Sequence, residues 1–143
     1  MIPRPGIAVA LFVFLAGLGM ALRHDLGNLA WHQARQSLSA GDPAGAELVQ
    51  HSTIFMDRDR APLSAAIGVG WYRQQRFAEA ERQFAVATAS TRPELVSAAH
   101  LNRGNSLFRR AGQLAEADVG AASLLLRAAM ADFEKVLSLE PNA

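Results

Sequence analysis

The stretch FAEAERQFAVA, residues 77–87, carries small residues along one face of a helix and aromatic residues at set intervals. A weaker copy, PAGAELVQHST, occupies residues 43–53. Both copies contain a small-x-small-acid turn, Ala44-x-Ala46-Glu47 in the first and Ala78-x-Ala80-Glu81 in the second. The two turns are separated by about 34 residues, a period typical of helical repeat architectures. We therefore expect each copy to begin the second helix of a repeating unit.

Length and charge narrow the classes of function. A chain of 143 residues has room for one domain and a targeting segment. Its 14 Lys and Arg nearly balance its 13 Asp and Glu, so no long-range field points to nucleic acid as a partner. The absence of cysteine excludes disulfides, thiolate metal sites and a cysteine nucleophile.

The N-terminal run IAVALFVFLAGLGMAL, residues 7–22, contains no charged side chain. As a helix it would span ~24 Å at ~1.5 Å per residue, slightly less than the ~30 Å hydrocarbon core of a bilayer. Gly6 extends the run, and Arg23 can reach the interface with its long aliphatic stem. The sequence therefore predicts a transmembrane helix that anchors a soluble domain, with the anchor at residues 1–23 and the domain at 24–143.

A cleaved signal peptide is the alternative for this segment. Its apolar region is usually ~7–15 residues long, and Gly19 and Ala21 form an acceptable small-x-small cleavage site. Both interpretations export the rest of the chain. A buried core helix fits less well, because such a helix normally keeps a polar face.

The remainder of the chain reads as helices separated by short breaks. Apolar spacing and breaks at Gly41-Asp42-Pro43, Pro62 and Pro93 predict helices over residues 26–40, 42–56, 61–75, 77–90 and 94–111. No stretch alternates with period two, so we expect an all-α fold.

The helix pairs resemble tetratricopeptide repeats, whose period is about 34 residues. Counted from Ala61, the unit places Gly68 eighth, Trp71 eleventh, Ala80 twentieth, Phe84 twenty-fourth and Ala87 twenty-seventh. The resemblance implies a short α-solenoid of antiparallel helix pairs, with units at about 27–60, 61–94 and 97–143. Small residues would let the two helices approach, and the aromatic residues would fill the space beside them. The first unit is degenerate, since Ala34 takes the glycine place and Ser37 the aromatic place.

The third unit departs from the pattern in two ways. Leu101-Asn102-Arg103-Gly104-Asn105 is similar to the centre of a first helix, although Arg103 replaces the usual leucine. Phe133, Val136 and Pro141, which belong to its second helix, come late by about 13 residues for a unit of about 34 residues. The inserted segment keeps apolar residues at helical spacing, at Leu114, Ala117, Ala121, Leu124 and Leu125. We therefore expect a lengthened second helix.

The resemblance also implies a binding surface. First helices of tetratricopeptide arrays line a concave groove that holds a peptide or a helix of a partner. Carried over by place, this partner-binding groove contains Ala65, Val69, Tyr72, Arg73, Leu101, Asn105, Phe108 and Arg109. Arg73 and Arg109 hold the same place in successive units, similar to part of the arrangement that grips a peptide carboxylate in some members. Solvated arginines beside an apolar groove are the alternative.

The sequence predicts no enzyme activity, no metal site and no cofactor. The four histidines, His24, His32, His51 and His100, form no helical pair at the i, i+4 spacing of a metal site. Gly68-Val69-Gly70 lies within a predicted helix, with no preceding strand and no third glycine, so it is not a phosphate-binding turn.

The C-terminal helix is expected to form a second interface. It carries Leu125, Phe133 and Leu137, and the chain has little left after Pro141 to cover them. Sizeable exposed apolar patches mark interaction sites, so residues 124–139 are predicted to bind a partner subunit or a second copy. The alternative is that a further covering helix belongs to the protein.

A single span, a short repeat region and a closing Glu140-Pro141 resemble the MxaK-type accessory proteins of bacterial methanol oxidation and the related Bat-type proteins. This resemblance implies an adaptor in the inner membrane that faces the periplasm and helps to assemble or activate an enzyme such as methanol dehydrogenase. Its implied partners are von Willebrand factor A-type membrane proteins, a MoxR-type ATPase or a periplasmic dehydrogenase. Two alternatives stay open, a stably bound subunit of a membrane complex and a cell-envelope scaffold unrelated to methanol.

Overall fold

The computed structural model describes residues 5–52 and 60–139, with side chains from Phe12 onward. Within these ranges the chain forms six helices and no strand, which confirms the all-α prediction. The helices are α1 Pro5–Ser39, α2 Pro43–Gln50, α3 Ala61–Arg73, α4 Phe77–Ala87, α5 Pro93–Leu114 and α6 Val119–Leu139.

Helix α1 is continuous over 35 residues and crosses the predicted boundary between anchor and domain. The sequence predicted a separate helix at 26–40, but the boundary holds no proline to interrupt the hydrogen-bond ladder. α1 ends at Ser39, close to the expected position. Gly41 adopts φ 76°, and the Asp42 amide donates to the carbonyl of Ser37 at 2.8 Å, which closes the helix end.

The first part of the predicted transmembrane run, residues 7–11, lies outside the described side chains. In the part of the chain that the structure describes, no helix combines the length and the apolar character needed to cross a membrane. The large apolar side chains of α1 in this region are exposed, namely Phe12, Val13, Phe14, Leu15, Leu18, Met20 and Leu22.

The six helices pack as three consecutive hairpins, α1–α2, α3–α4 and α5–α6, and each hairpin packs on the next through α2–α3 and α4–α5. Residues from the first two hairpins share one core. It consists of Ala30, Ala34, Ala46, Leu63, Ile67, Trp71, Ala80 and Phe84. Small residues here allow close helix approach, as the repeat pattern predicted.

The second and third hairpins each contain the same kind of contact between a glycine and an aromatic ring. A Cβ on Gly68 would lie 2.8 Å from Cε1 of Phe84, and a Cβ on Gly104 would lie 2.6 Å from Cε1 of Phe133. Both distances are shorter than carbon atoms tolerate, so each ring occupies the space that the glycine leaves. Phe133 therefore plays the part of Phe84, at the delayed position that the sequence indicated.

The inserted residues lengthen the second helix of the third hairpin, as predicted, and they also lengthen the first helix, which the sequence did not predict. α5 has 22 residues against 13 in α3, and α6 has 21 against 11 in α4. Ala117 lies in the turn between them. Asp118 accepts a hydrogen bond from the amide of Ala121 at 2.8 Å and so caps the start of α6.

The start of α2 follows the predicted signals, whereas its end does not. Asp42 caps α2 by accepting the Gly45 amide at 2.9 Å, with Pro43 in the first turn. α2 ends at Gln50, before the predicted 56, and the linker at 53–59 lies outside the described residues.

Candidate partner-binding groove

The groove is centred on Phe77, the first residue of α4. Its ring meets the edge of Tyr72 with centroids 5.1 Å apart, and the Arg109 guanidinium lies 5.3 Å from its centre. Phe77 is 4% exposed, because these two neighbours cover it. Helix α3 supplies Tyr72 and α5 supplies Arg109, so the cluster forms only where the second and third hairpins meet.

A cleft of about 320 Å³ opens beside this cluster. Its lining consists of Gln75, Phe77, Phe108, Arg109, Gly112 and Gln113. The lining supplies aromatic surface, one guanidinium and two amides, and it contains no carboxylate. The Phe108 side chain is 56% exposed. Such a site favours a ligand that combines an apolar group with a negative charge.

Gln75 holds a strained backbone position at the edge of the cleft. Its φ is 60°, while Gly41 adopts φ 76° at the equivalent place of the first hairpin. The amide of Arg76 donates to the carbonyl of Trp71 at 3.0 Å and closes α3 in the manner of a left-handed helix cap. A side chain at such a position costs energy that glycine avoids. The turn thus projects Gln75 toward the cleft at some cost to stability.

The predicted groove residues are only partly brought together. Tyr72, Phe108 and Arg109 meet at the Phe77 cluster. Leu101 and Asn105 lie on the same face of α5 as Phe108, at successive spacings of four and three residues. Arg73 is exposed at the end of α3 and does not line the cleft. The other two predicted members, Ala65 and Val69, are half-buried on α3.

Sequence reasoning missed Gln75, Phe77, Gly112 and Gln113 as groove residues. Phe77 begins the stretch that defined the repeat, but a repeat pattern assigns the second helix to packing. Gly112 and Gln113 lie beyond residue 111, where the sequence predicts that this helix ends, and they belong to the extension of α5. The spacing Leu101, Asn105, Phe108, Gly112 was the available signal, since it marks one helical face.

The repeated acid of the small-x-small-acid turn joins one hairpin to the next. Glu47 accepts a hydrogen bond from Nε1 of Trp71 at 2.9 Å, and Glu81 forms an ion pair with Arg110. A second link has the same direction, since Gln74 donates to the carbonyl of Gly41 at 2.8 Å. In each case the acid lies on the second helix of one hairpin and binds the first helix of the next hairpin, so it holds these two helices together.

A buried charge cluster holds α5 against α6. Asp132 is 2% exposed and accepts Nε of Arg103 at 2.7 Å, while its other oxygen lies 2.8 Å from Nδ1 of His100. The hydrogen bond from Arg103 to Asp132 raises the pKa of Arg103, against the opposing effect of burial. Both carboxylate oxygens are thus occupied by the neighbouring helix. The cluster explains why Arg103 replaces the leucine of the repeat pattern.

The predicted C-terminal interface residues differ in exposure. Leu137 is exposed, Leu125 is half-buried, and Phe133 is half-buried against Gly104. Phe133 therefore contributes to the hairpin itself. In the described ranges no three His, Asp or Glu side chains are grouped as a metal site would require.

Comparison of the chain with protein-family models, with curated proteins and with solved structures gives no match.

Proposed function

We propose that this protein is a non-enzymatic adaptor of tetratricopeptide type that binds an acidic segment of a protein partner in the Phe77 groove. The observation that carries the proposal is the cleft itself, which combines exposed Phe108 with the guanidinium of Arg109 and has no lining carboxylate. Arg109 already rests on Phe77 at 5.3 Å. Its position is therefore fixed before a ligand arrives, which lowers the entropy lost on binding.

The repeat supports the adaptor class. Two hairpins share the glycine–aromatic contact, and two acids at equivalent places hold successive hairpins together. Stacked hairpins of this kind form extended surfaces that are used for protein binding. On this proposal the uncharged run at 7–22 anchors the adaptor in the inner membrane, with the groove in the periplasm. Assistance to a periplasmic enzyme, such as methanol dehydrogenase, is the role that the resemblance implies.

Peptide arrays test the groove directly. The full chain, in a mild non-ionic detergent, is applied to immobilised peptides that each carry one Phe or Leu and a varied number of Asp, Glu, Lys or Arg residues. We expect acidic peptides to be retained, and retention to fall as salt is raised, because exposed charges are screened. Arg109→Glu should shift the preference toward basic peptides, and Phe108→Ala should weaken retention of all apolar–acidic peptides.

Arg92→Glu is the matched control, since Arg92 is an exposed arginine away from the cleft. It should leave the peptide preference unchanged. If Arg109→Glu and Arg92→Glu alter the preference equally, or if acidic peptides are not retained, the groove does not have the proposed function.

A further inference from the structure

Helix α6 carries a line of exposed apolar side chains, which we call the α6 stripe. It consists of Val119, Leu126, Met130 and Leu137, with exposed fractions of 73%, 40%, 59% and 71%. Their spacings of seven, four and seven residues place them on one side of the helix. Within the described chain, α5 is the helix that packs on α6, and it does so on another side.

The glycine–aromatic contact identifies the residues of the other hairpins that are equivalent to the stripe residues. Since Phe133 is equivalent to Phe84, Leu126 is equivalent to Phe77 and Met130 to Glu81. The repeat period continues the equivalence to the first hairpin, where the two places are held by Pro43 and Glu47.

In both earlier hairpins these places receive the first helix of the following hairpin. In the first hairpin, a Cβ on Gly70 of α3 would lie 3.0 Å from Cβ of Pro43. Glu47 accepts a hydrogen bond from Nε1 of Trp71, also on α3. In the second, Phe77 lies under Arg109 and Glu81 pairs with Arg110. Leu126 and Met130 therefore stand where a helix packs in two of the three hairpins.

The chemistry of the stripe differs from that of its equivalents. The linking acid of the first two hairpins is Met130 in the third, so a helix that docks here meets an apolar surface. Leu126 also lines a cleft of about 210 Å³ together with Phe108, Ala111, Gly112, Ala115 and Ala122. The occupant must therefore offer its own line of apolar side chains.

The charged residues beside the stripe indicate which helix docks on it. Arg127 and Glu134 are exposed and lie on the same flank of the stripe, seven residues apart. If a second copy of α6 packs antiparallel, Arg127 of each copy meets Glu134 of the other. In the register that places Leu126 opposite Met130 and Val119 opposite Leu137, the charge pair is diagonal: Glu134 lies five positions, ~7.5 Å along the helix, from the point opposite Arg127. Residues that flank an apolar seam form ion pairs between helices in this way. A parallel pair would leave both charges without an opposite charge, because the other flank carries Ala122, Ala129 and Val136.

We infer that the α6 stripe is a two-fold interface between two copies of this chain, packed as antiparallel helices with reciprocal Arg127–Glu134 pairs. Such an interface is self-complementary, as two-fold contacts in homodimers are. The inference deepens the expected C-terminal interface and does not rest on the ligand proposed for the Phe77 groove, although Phe108 and Gly112 line both clefts.

Charge exchange tests the inference in the full chain. Sedimentation equilibrium is measured in one non-ionic detergent, so that any association through residues 7–22 is common to all variants. We expect wild type to dimerise. Arg127→Glu and Glu134→Arg should each raise the dimer dissociation constant roughly tenfold, because two exposed ion pairs become two like-charge contacts.

An equimolar mixture of the two variants should restore the wild-type association, since every 127–134 pair across the mixed interface is then oppositely charged. Met130→Glu should abolish dimerisation. Lys135→Glu, an exposed change of charge on the opposite side of α6, should have no effect. A monomeric wild type would overturn the inference, and so would a mixture that associates no better than either variant alone. A stripe that binds a helix of another protein would give the first of these results.

Discussion

Gly104 shows at the scale of a single residue how the third hairpin depends on the absence of a side chain. The Phe133 ring occupies the position that a Cβ would take, with Cε1 2.6 Å away. An aromatic ring inside a hairpin cannot withdraw as the end of a flexible side chain can. The same reasoning applies to Gly68 and Phe84 at 2.8 Å.

We expect Gly104→Ala to lower the free energy of unfolding by about 1–3 kcal/mol, the usual cost of overpacking a core. The overpacking must outweigh the ~1 kcal/mol by which alanine favours a helix over glycine. Urea unfolding followed by circular dichroism measures the change.

Gly112→Ala is the matched control on the same helix, because nothing lies within 4 Å of its Cβ position. It should raise the free energy of unfolding by up to about 1 kcal/mol through helix propensity alone. If both substitutions change stability in the same direction, close contact with Phe133 is not what requires Gly104.

At the scale of elements, the contact between α5 and α6 replaces part of an apolar seam with charge. Asp132 is buried and binds both Arg103 and His100. Burying an ion pair costs desolvation energy that the attraction between the charges roughly offsets, whereas one unpaired buried charge is strongly destabilising. The two partners should therefore depend on each other more than on their surroundings.

A double-mutant cycle measures this dependence. Asp132→Leu alone should lower stability by about 2–3 kcal/mol, less than the ~3–5 kcal/mol of a fully buried pair, because the Arg103 side chain is 29% exposed. Arg103→Leu with Asp132→Leu should recover most of the loss, since leucine at 103 restores the apolar residue of the repeat pattern.

The exposed ion pair of Arg76 with Glu79 provides the comparison for this cycle. Arg76→Ala should cost no more than about 1 kcal/mol, part of it from the Trp71 ring 4.4 Å from its guanidinium. Strictly additive losses at Arg103 and Asp132 would show that they do not act as a pair.

At the scale of the whole molecule, the N-terminal segment is joined to the helical repeat through one continuous helix, α1. The exposed apolar side chains from Phe12 to Leu22 belong to the same helix as buried Ala30 and Ala34. An anchor in this helix would therefore be coupled rigidly to the first hairpin. Continuous backbone hydrogen bonds leave no free joint between them.

We expect an alkaline phosphatase fused after residue 143 to be active, and the protein to stay in membranes washed with carbonate. The proposed anchor requires both results, because the run at 7–22 would hold the chain in the membrane while the domain is exported. Replacing Leu15 and Leu18 with arginine should release the protein from the membrane. Recovery of a soluble periplasmic form that lacks residues 1–21 would identify a cleaved signal peptide instead.

The sequence by itself determined the order of the helices and most of their breaks, although it divided the continuous α1 into two. Prolines, Gly41 and the Asp42 cap act locally, so the breaks could be predicted from short stretches. The repeat also identified Gly68, Trp71, Ala80 and Phe84 as packing residues, and all four are buried. It even indicated that Phe133 would come late in its unit.

Only the tertiary structure decided how the inserted residues are divided between α5 and α6, and which residues line the groove. Ala117 keeps helical spacing in the sequence, yet it lies in the turn, because Asp118 starts a new helix there. Phe77 and Arg109 belong to different hairpins, and Arg103 and Asp132 are 29 positions apart. Periodicity shows which face of a helix is apolar, but it does not show which residue of another helix lies opposite that face. That choice depends on how the hairpins stack, and contacts distant in sequence determine the stacking.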